Sequence, residues 1–254
     1  MVSLFLTCAG DERGRVIARL WELGTLGITE NDASIQAFFE EQFDAGEFAA
    51  NDARWQSEEA RDWVEESRKG WEPLAVGKRL FLVPSWRDDP APEGRLRLAV
   101  HAGAASGSGY SIPTQLALEA LETCLRPGDT VLDVGAGSGI LTAAAGLLGA
   151  GRRIACEIDA DAAMQARANL GSEPLLFAGS PRSLRSAIAD LIVANLNAVA
   201  IESISGELAR VAKPKAVIIV SGFHRRWEES LRRRLAGGLS GRWEREGWCC
   251  LAVS

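Results

Sequence analysis

The sequence predicts an α/β protein, a doubly wound and mostly parallel sheet preceded by a small α+β domain. Three observations point there. From Thr130 onward short apolar runs alternate with helical patterns, as parallel strands do when helices cover both faces of their sheet. The first run, Thr130-Val131-Leu132-Asp133-Val134, breaks into Gly135-Ala136-Gly137-Ser138-Gly139 and then opens an Ala/Leu-rich helix, so bare backbone lies where a ligand can approach a strand end. Residues 243–253 are strand-like with no helix after them, which permits a final antiparallel strand.

Residues 1–55 carry the small domain. Residues 2–8 read as a strand, and 11–23 as a helix through Val16, Ile17, Leu20 and Leu23 with Gly24 as its stop. Residues 27–29 and 34–39 read as strands, and 40–50 fit helix or loop. A helical connector is expected over 56–70, with Ser57 as N-cap, Glu58 and Glu59 in the first turn, and charge around most of the cylinder. Residues 71–254 form the large domain. Strands are expected at 73–76, 79–83 and 95–100, with a loop at 88–94. Residues 102–114 are too rich in small side chains to hold a core, so they lie over something or move. Pro113 suits the first turn of a helix over 114–125. Helices are then expected at 138–148, 160–170, 198–211 and 224–235, and strands at 130–134, 153–159, 174–177, 190–194, 216–221 and 243–253.

Composition narrows the function. A chain of 254 residues holds one large domain and a small one, and 47% hydrophobic, 24% charged and 7% aromatic residues are those of a soluble globular protein. No apolar run reaches membrane length and no targeting segment opens the chain, so a cytoplasmic protein without membrane contact is expected. Five cysteines without C-x-x-C spacing and two histidines favour reduced thiols and no metal. A net charge of −6 argues against a broad basic face for nucleic acid. It leaves room for a basic partner, and the acidic stretch 30–66 either attracts one or is a solvated surface.

The glycine turn selects its ligand. A dinucleotide fingerprint places its third glycine three positions after the second, whereas here the spacing is G-x-G-x-G followed by Ile140. Asp133, beside the turn, repels a pyrophosphate and attracts a ligand bearing an ammonium and a sulfonium, which S-adenosylmethionine does. Glu157 ends the next strand, where a carboxylate accepts both ribose hydroxyls. These two acids disfavour a nicotinamide oxidoreductase and make Asp133, Gly135, Gly137, Gly139 and Glu157 the expected cofactor-binding residues.

Asp133 with its turn, Glu157, and the strand end Asp190-Leu191-Ile192-Val193-Ala194-Asn195-Leu196 resemble the class I S-adenosylmethionine-dependent methyltransferases. That resemblance implies a Rossmann-like, seven-stranded doubly wound sheet with a reversed last strand. From about residue 60 to 225, Trp71-Glu72-Pro73-Leu74-Ala75-Val76-Gly77-Lys78-Arg79-Leu80, Pro84-Ser85-Trp86, Pro113-Thr114, Gly137-Ser138-Gly139-Ile140-Leu141, Val193-Ala194-Asn195-Leu196 and Ser221-Gly222-Phe223 are similar to the bacterial methyltransferases of ribosomal protein L11. The resemblance implies methylation of lysine and N-terminal amines on that free, basic protein, gripped by the small domain. A monomer without direct nucleic-acid contact is expected. Thr114, Gly135, Glu157 and Asn195 fall on the family's cofactor positions, with Thr114 and Asn195 also expected to serve catalysis. Where that family has a phenylalanine, Gly-Thr-Gly, a variable residue and His-Pro-Thr-Thr, this chain has Ser106-Gly107-Ser108-Gly109-Tyr110-Ser111-Ile112-Pro113-Thr114-Gln115. The phenylalanine, the histidine and the second threonine are absent, which admits another protein or a small amine as the alternative substrate.

Methyl transfer from a sulfonium is an in-line displacement, so an amine lone pair must be aligned with the methyl carbon. A lysine is an ammonium near pH 7 and must first lose a proton. Desolvation, with Asn195 and nearby carbonyls as acceptors, is expected to achieve both without a histidine base. Tyr110 either covers the cofactor or stands exposed in its loop, and Trp71 and Trp86 either wall a substrate cleft or pack in the core.

Overall fold

The computed structural model describes residues 2–8, 12–25, 27–31, 34–57, 71–101, 109–235 and 237–254. It divides into two compact units, Met1–Gly70 and Trp71–Ser254.

In the first unit, strands β1 (Val2–Thr7), β2 (Gly27–Asn31), β3 (Ser34–Phe39) and β4 (Arg54–Ser57) form an antiparallel sheet in the order β2-β3-β1-β4, with helix α1 at Arg13–Glu22. Alternate residues Leu4 and Leu6 of β1 and Ile35, Ala37 and Phe39 of β3 pack with Leu20 of α1 into one core, as period-two patterning requires. Residues 40–50, ambiguous in the sequence, lead into a 3₁₀ turn at Gly46–Asn51 that buries Phe48. Phe43 packs edge-on against Phe39 and Trp55. Strand β4 runs through Ser57. Ser57 therefore closes a strand rather than capping a helix, and the first sheet extends past residue 55. The rest of the expected connector, 58–70 with Glu58 and Glu59, lies outside the described residues.

The second unit opens with a three-stranded sheet of β5 (Leu74–Val76), β6 (Leu80–Pro84) and β7 (Leu96–Val100), β5–β6 antiparallel and β6–β7 parallel. Helix α2 (Ile112–Cys124) follows, and its Glu122 accepts the Lys78 and Arg79 amides at the β5–β6 turn. The chain then alternates through β8 (Thr130–Val134), α3 (Ile140–Leu148), β9 (Arg152–Glu157), α4 (Ala160–Leu170), β10 (Leu175–Ala178), β11 (Ala189–Asn195), α5 (Ala198–Val211), β12 (Ala212–His224), α6 (Glu228–Arg234), β13 (Leu239–Arg245) and β14 (Trp248–Val253).

The seven strands lie in the order β10-β9-β8-β11-β12-β14-β13. Only β14 is reversed, antiparallel to both neighbours. Both faces are covered. Val131, Leu191, Val193 and Ile219 join α2, α3 and the three-stranded sheet in one core, while Leu132, Ile192, Ala194 and Val220 join Ile201 and Leu208 of α5 in another. This is why these strands read as continuous apolar runs.

Two expectations change near the C-terminus. Strand β12 continues to His224, so the helix begins only at Glu228. The single closing strand over 243–253 is instead a hairpin, turned at Glu246 and Gly247, both at positive φ (50° and 78°). Its first arm, Leu239-Ser240-Gly241-Arg242-Trp243-Glu244-Arg245, is a polar edge strand, and edge strands carry charge rather than an apolar signature.

Candidate active site

After β8 the chain moves outward through β9 to β10, then returns to place β11 on the other side of β8. Ligands of open α/β sheets bind beyond the carboxyl ends of the strands at such a reversal. Val134 and Ala194 are register partners there. Gly135 and Asn195 therefore end neighbouring strands side by side.

The turn after β8 holds Gly135, Gly137 and Gly139 at φ of 74°, 52° and 83°. A Cβ on Gly135 would lie 2.5 Å from Leu196 Cδ2, so a side chain there meets both backbone strain and a clash. The Gly135 and Ala136 amides donate to the Cys156 carbonyl at 2.9 and 3.2 Å. The Gly137 amide donates to Glu157 Oε2 at 2.9 Å, and Glu157 Oε1 accepts the Asp159 amide at 3.1 Å. Glu157 is 8% exposed. Its carboxylate is fixed at the turn by one bond to each oxygen, and each oxygen keeps a lone pair for a hydroxyl.

Asp133 is 1% exposed. Its Oδ2 accepts the Thr142 hydroxyl at 2.6 Å, but its buried Oδ1 has no partner among the described residues. Burial is the main cause that pushes this carboxyl up to about 6, with the Glu157 charge adding to it. A buried carboxylate with an unpaired oxygen destabilises the fold until a cation or donor reaches it. That orphaned oxygen beside a bare glycine turn suits a cofactor bearing an ammonium.

Thr114 and Asn195, far apart in sequence, meet. Pro113 lies in the first turn of α2 and Thr114 just after it, fully buried. Asn195 Nδ2 donates to Thr114 Oγ1 at 3.0 Å, which leaves Oδ1 as the acceptor of that amide. The Ser111 hydroxyl is also 2.9 Å from Thr114 Oγ1. From β12, the Ser221 hydroxyl donates to the Pro113 carbonyl at 2.8 Å, and the Leu196 amide donates to the Ser221 carbonyl at 2.9 Å. A Cβ on the next residue, Gly222, would sit 2.4 Å from the Leu196 carbonyl oxygen. The strand end carrying Asn195 is thus wedged against β12.

Several residues escaped the sequence reading. Ile158 is 82% exposed directly after Glu157, an aliphatic surface beside that acid; its signal was a branched apolar residue between two acids. Thr142 was visible as a lone polar residue in an apolar helix, Ser221 was marked only as part of Ser221-Gly222-Phe223 with no role, and nothing local marked Ser111. Tyr110 is anchored, its hydroxyl donating to the Glu72 carbonyl at 2.8 Å and its ring centroid 4.7 Å from that of Trp71. Trp71 in turn lies 5.5 Å from Trp86, so these aromatics form a packed column. Ser106, Gly107 and Ser108 lie outside the described residues.

Neither histidine contacts the two acids or Asn195. His101 lines a cavity of about 430 Å³ with Leu98, Ile140 and Leu147, whose wall reaches Ser138 and Gly139 of the glycine turn but not Asp133, Glu157 or Asn195. His224 stacks on Trp248 at 4.0 Å. Among the described residues no group of His, Cys, Asp and Glu is placed to hold a metal, and no helix is long and apolar enough to cross a membrane.

A buried acid with an unpaired oxygen, a second acid held at the glycine turn, and a seven-stranded sheet with one reversed strand are the features of a class I S-adenosylmethionine-dependent methyltransferase. Comparison with known proteins narrows the class. Residues 11–254 match the family described as ribosomal protein L11 methyltransferase (PrmA). The chain is 32% identical over 232 residues to the ribosomal protein L11 methyltransferase of Deinococcus radiodurans, covering 87% of this chain and 84% of the relative. It is 40% identical over 182 residues to that of Pelotomaculum thermopropionicum, covering 70% of this chain and 58% of the relative. The crystal structure of a ribosomal protein L11 methylase from Lactobacillus delbrueckii subsp. bulgaricus aligns with a TM-score of 0.66 at 26% identity, covering 73% of this chain and 98% of that one. The chain belongs to the ribosomal protein L11 methyltransferase family.

Proposed function

We propose that the protein transfers methyl groups to lysine and N-terminal amines of ribosomal protein L11. S-adenosylmethionine, when bound, supplies the electrophilic methyl group. Asp133 would receive its ammonium, the turn from Gly135 through Gly137 to Gly139 would let it lie against backbone, Glu157 would accept the ribose hydroxyls and Ile158 would offer an apolar surface to the purine. The observation that carries the reading is the Asn195–Thr114 contact at the end of β11, one strand from the glycine turn. Held there, the Asn195 amide offers Oδ1 to an N–H of the incoming amine and so aligns its lone pair. Desolvation in the same corner favours the neutral amine, and the displaced proton leaves to water.

Residues 1–70 contain fifteen Asp and Glu against seven Lys and Arg. In our reading this excess lets the small unit grip a free, basic ribosomal protein, with the chain acting as a cytoplasmic monomer away from nucleic acid. The altered segment ending at Gln115 supports a second reading, in which the acceptor is another protein or a small amine. Mass spectrometry of purified ribosomal protein L11 after incubation with enzyme and S-adenosylmethionine separates the two. Masses raised by whole methyl increments on lysines and the N-terminus are expected. An unmodified L11 beside an enzyme that binds the cofactor would move the assignment to the second reading.

A further inference from the structure

We propose that Gln115 and Arg245 are positioning residues that brace the start of α2 and thereby set the Asn195–Thr114 contact; the proposal rests on the functional reading above. Gln115 stands where the resembling family carries its second threonine, and it does what a threonine is too short to do. Its Oε1 accepts Arg245 Nη1 at 2.9 Å, and its Nε2 donates to the Tyr110 carbonyl at 3.0 Å. Arg245 also donates through Nη2 to Glu119 Oε1 at 2.7 Å. One guanidinium therefore grips positions 115 and 119, which lie on one face of the helix.

Tyr110 is the far end of the brace. Its hydroxyl is fixed to the Glu72 carbonyl and its ring to Trp71. Between these anchors run Ser111, Ile112, Pro113 and Thr114. The chain path that presents Thr114 Oγ1 to Asn195 is thus held from the Gln115 amide, from the Tyr110 ring and from Ser221. An amide is required at 115 because the position must accept from a cation and donate to a carbonyl; a glutamate can do only the first. The Arg245 side chain is 40% exposed, so its ion pair with Glu119 adds little stability. Its consequence is geometric, and small misplacements of aligning groups slow in-line transfer steeply. Asp133, the glycine turn and Glu157 belong to other strands and do not share this support.

Tyr110 is the only tyrosine, so ultraviolet titration of the phenol reports on it alone. Burial raises that phenol above its ordinary range, while Arg87 and Glu72 nearby act in opposite directions. In Gln115→Leu the phenol is expected to titrate at lower pH than in wild type. The kcat for methyl transfer is expected to fall by about tenfold or more while the Kd for S-adenosylmethionine stays within about twofold. Gln115→Glu keeps the Arg245 contact and should still show the loosened titration. Arg245→Lys, whose single ammonium keeps a cation at Glu119 but cannot fork across to Gln115, should recover only part of the kcat lost in Arg245→Ala. An unshifted phenol in Gln115→Leu, an unchanged kcat beside a shifted phenol, or a cofactor affinity that falls in step with kcat would each overturn the brace. Wild-type enzyme inert toward the ribosomal protein would instead contradict the functional reading, and the titration, which needs no substrate, judges the brace separately.

Discussion

In the function proposed above, Asp133 trades stability for binding. Its carboxyl ionises near 6 in the folded chain instead of 3.8, mainly through burial. Because the folded state then holds a proton that the unfolded state has released, stability rises as pH falls from about 6 toward 4, and the charged form destabilises the fold by about 3 kcal/mol above that window. Asp133→Asn should therefore be more stable than wild type at pH 7, and the difference should shrink when denaturant melts are repeated at pH 4.5. The same proton should weaken S-adenosylmethionine binding below pH 6 in wild type, whereas calorimetry on Asp133→Asn should find weak affinity with no such slope. Asp133, the three glycines and Glu157 were legible because strand, turn and acid follow one another at fixed spacing. Ile158, Ser111 and the part played by Ser221 were not, since these depend on which elements the fold brings beside them.

Elements buried on both sides announced themselves, and edges did not. Strands β8, β11 and β12 are continuous apolar runs sandwiched between two cores, and α4 and α5 span the ranges their periodicity predicted. Strand β13 was missed because its outward positions carry Arg242 and Glu244, and β4 because four residues with an arginine and a glutamine give no alternation to read. Missing β13 also hid Arg245. The link from β8 to α3 depends on backbone that only glycine adopts. Gly135→Ala combines a φ of 74° with a Cβ 2.5 Å from Leu196, so it should destabilise the protein by about 1–3 kcal/mol in thermal melts and weaken cofactor binding. Ser221→Ala removes the hydroxyl that supports the Pro113 carbonyl, and should lower stability by about 1 kcal/mol with a larger loss in kcat than in cofactor affinity.

Across the whole chain, charge is divided unevenly between the two units. Against the acidic excess of residues 1–70, residues 71–254 hold nineteen Asp and Glu and twenty-one Lys and Arg. If the first unit draws in a basic protein, the KM for ribosomal protein L11 should rise with ionic strength as exposed charges are screened. The Kd for S-adenosylmethionine, whose proposed acidic partners Asp133 and Glu157 are buried, should change little over the same salt range. A KM indifferent to salt would remove the acidic surface from the recognition scheme. In the function proposed above the chemistry converges on Asn195, whose amide lies at the meeting of β11, β12 and α2. Single-turnover transfer of labelled methyl from saturating S-adenosylmethionine to L11 by wild type and Asn195→Ala weighs that role. At saturating cofactor the variant should transfer about 100-fold more slowly, and transfer at the wild-type rate would contradict an aligning role for this asparagine.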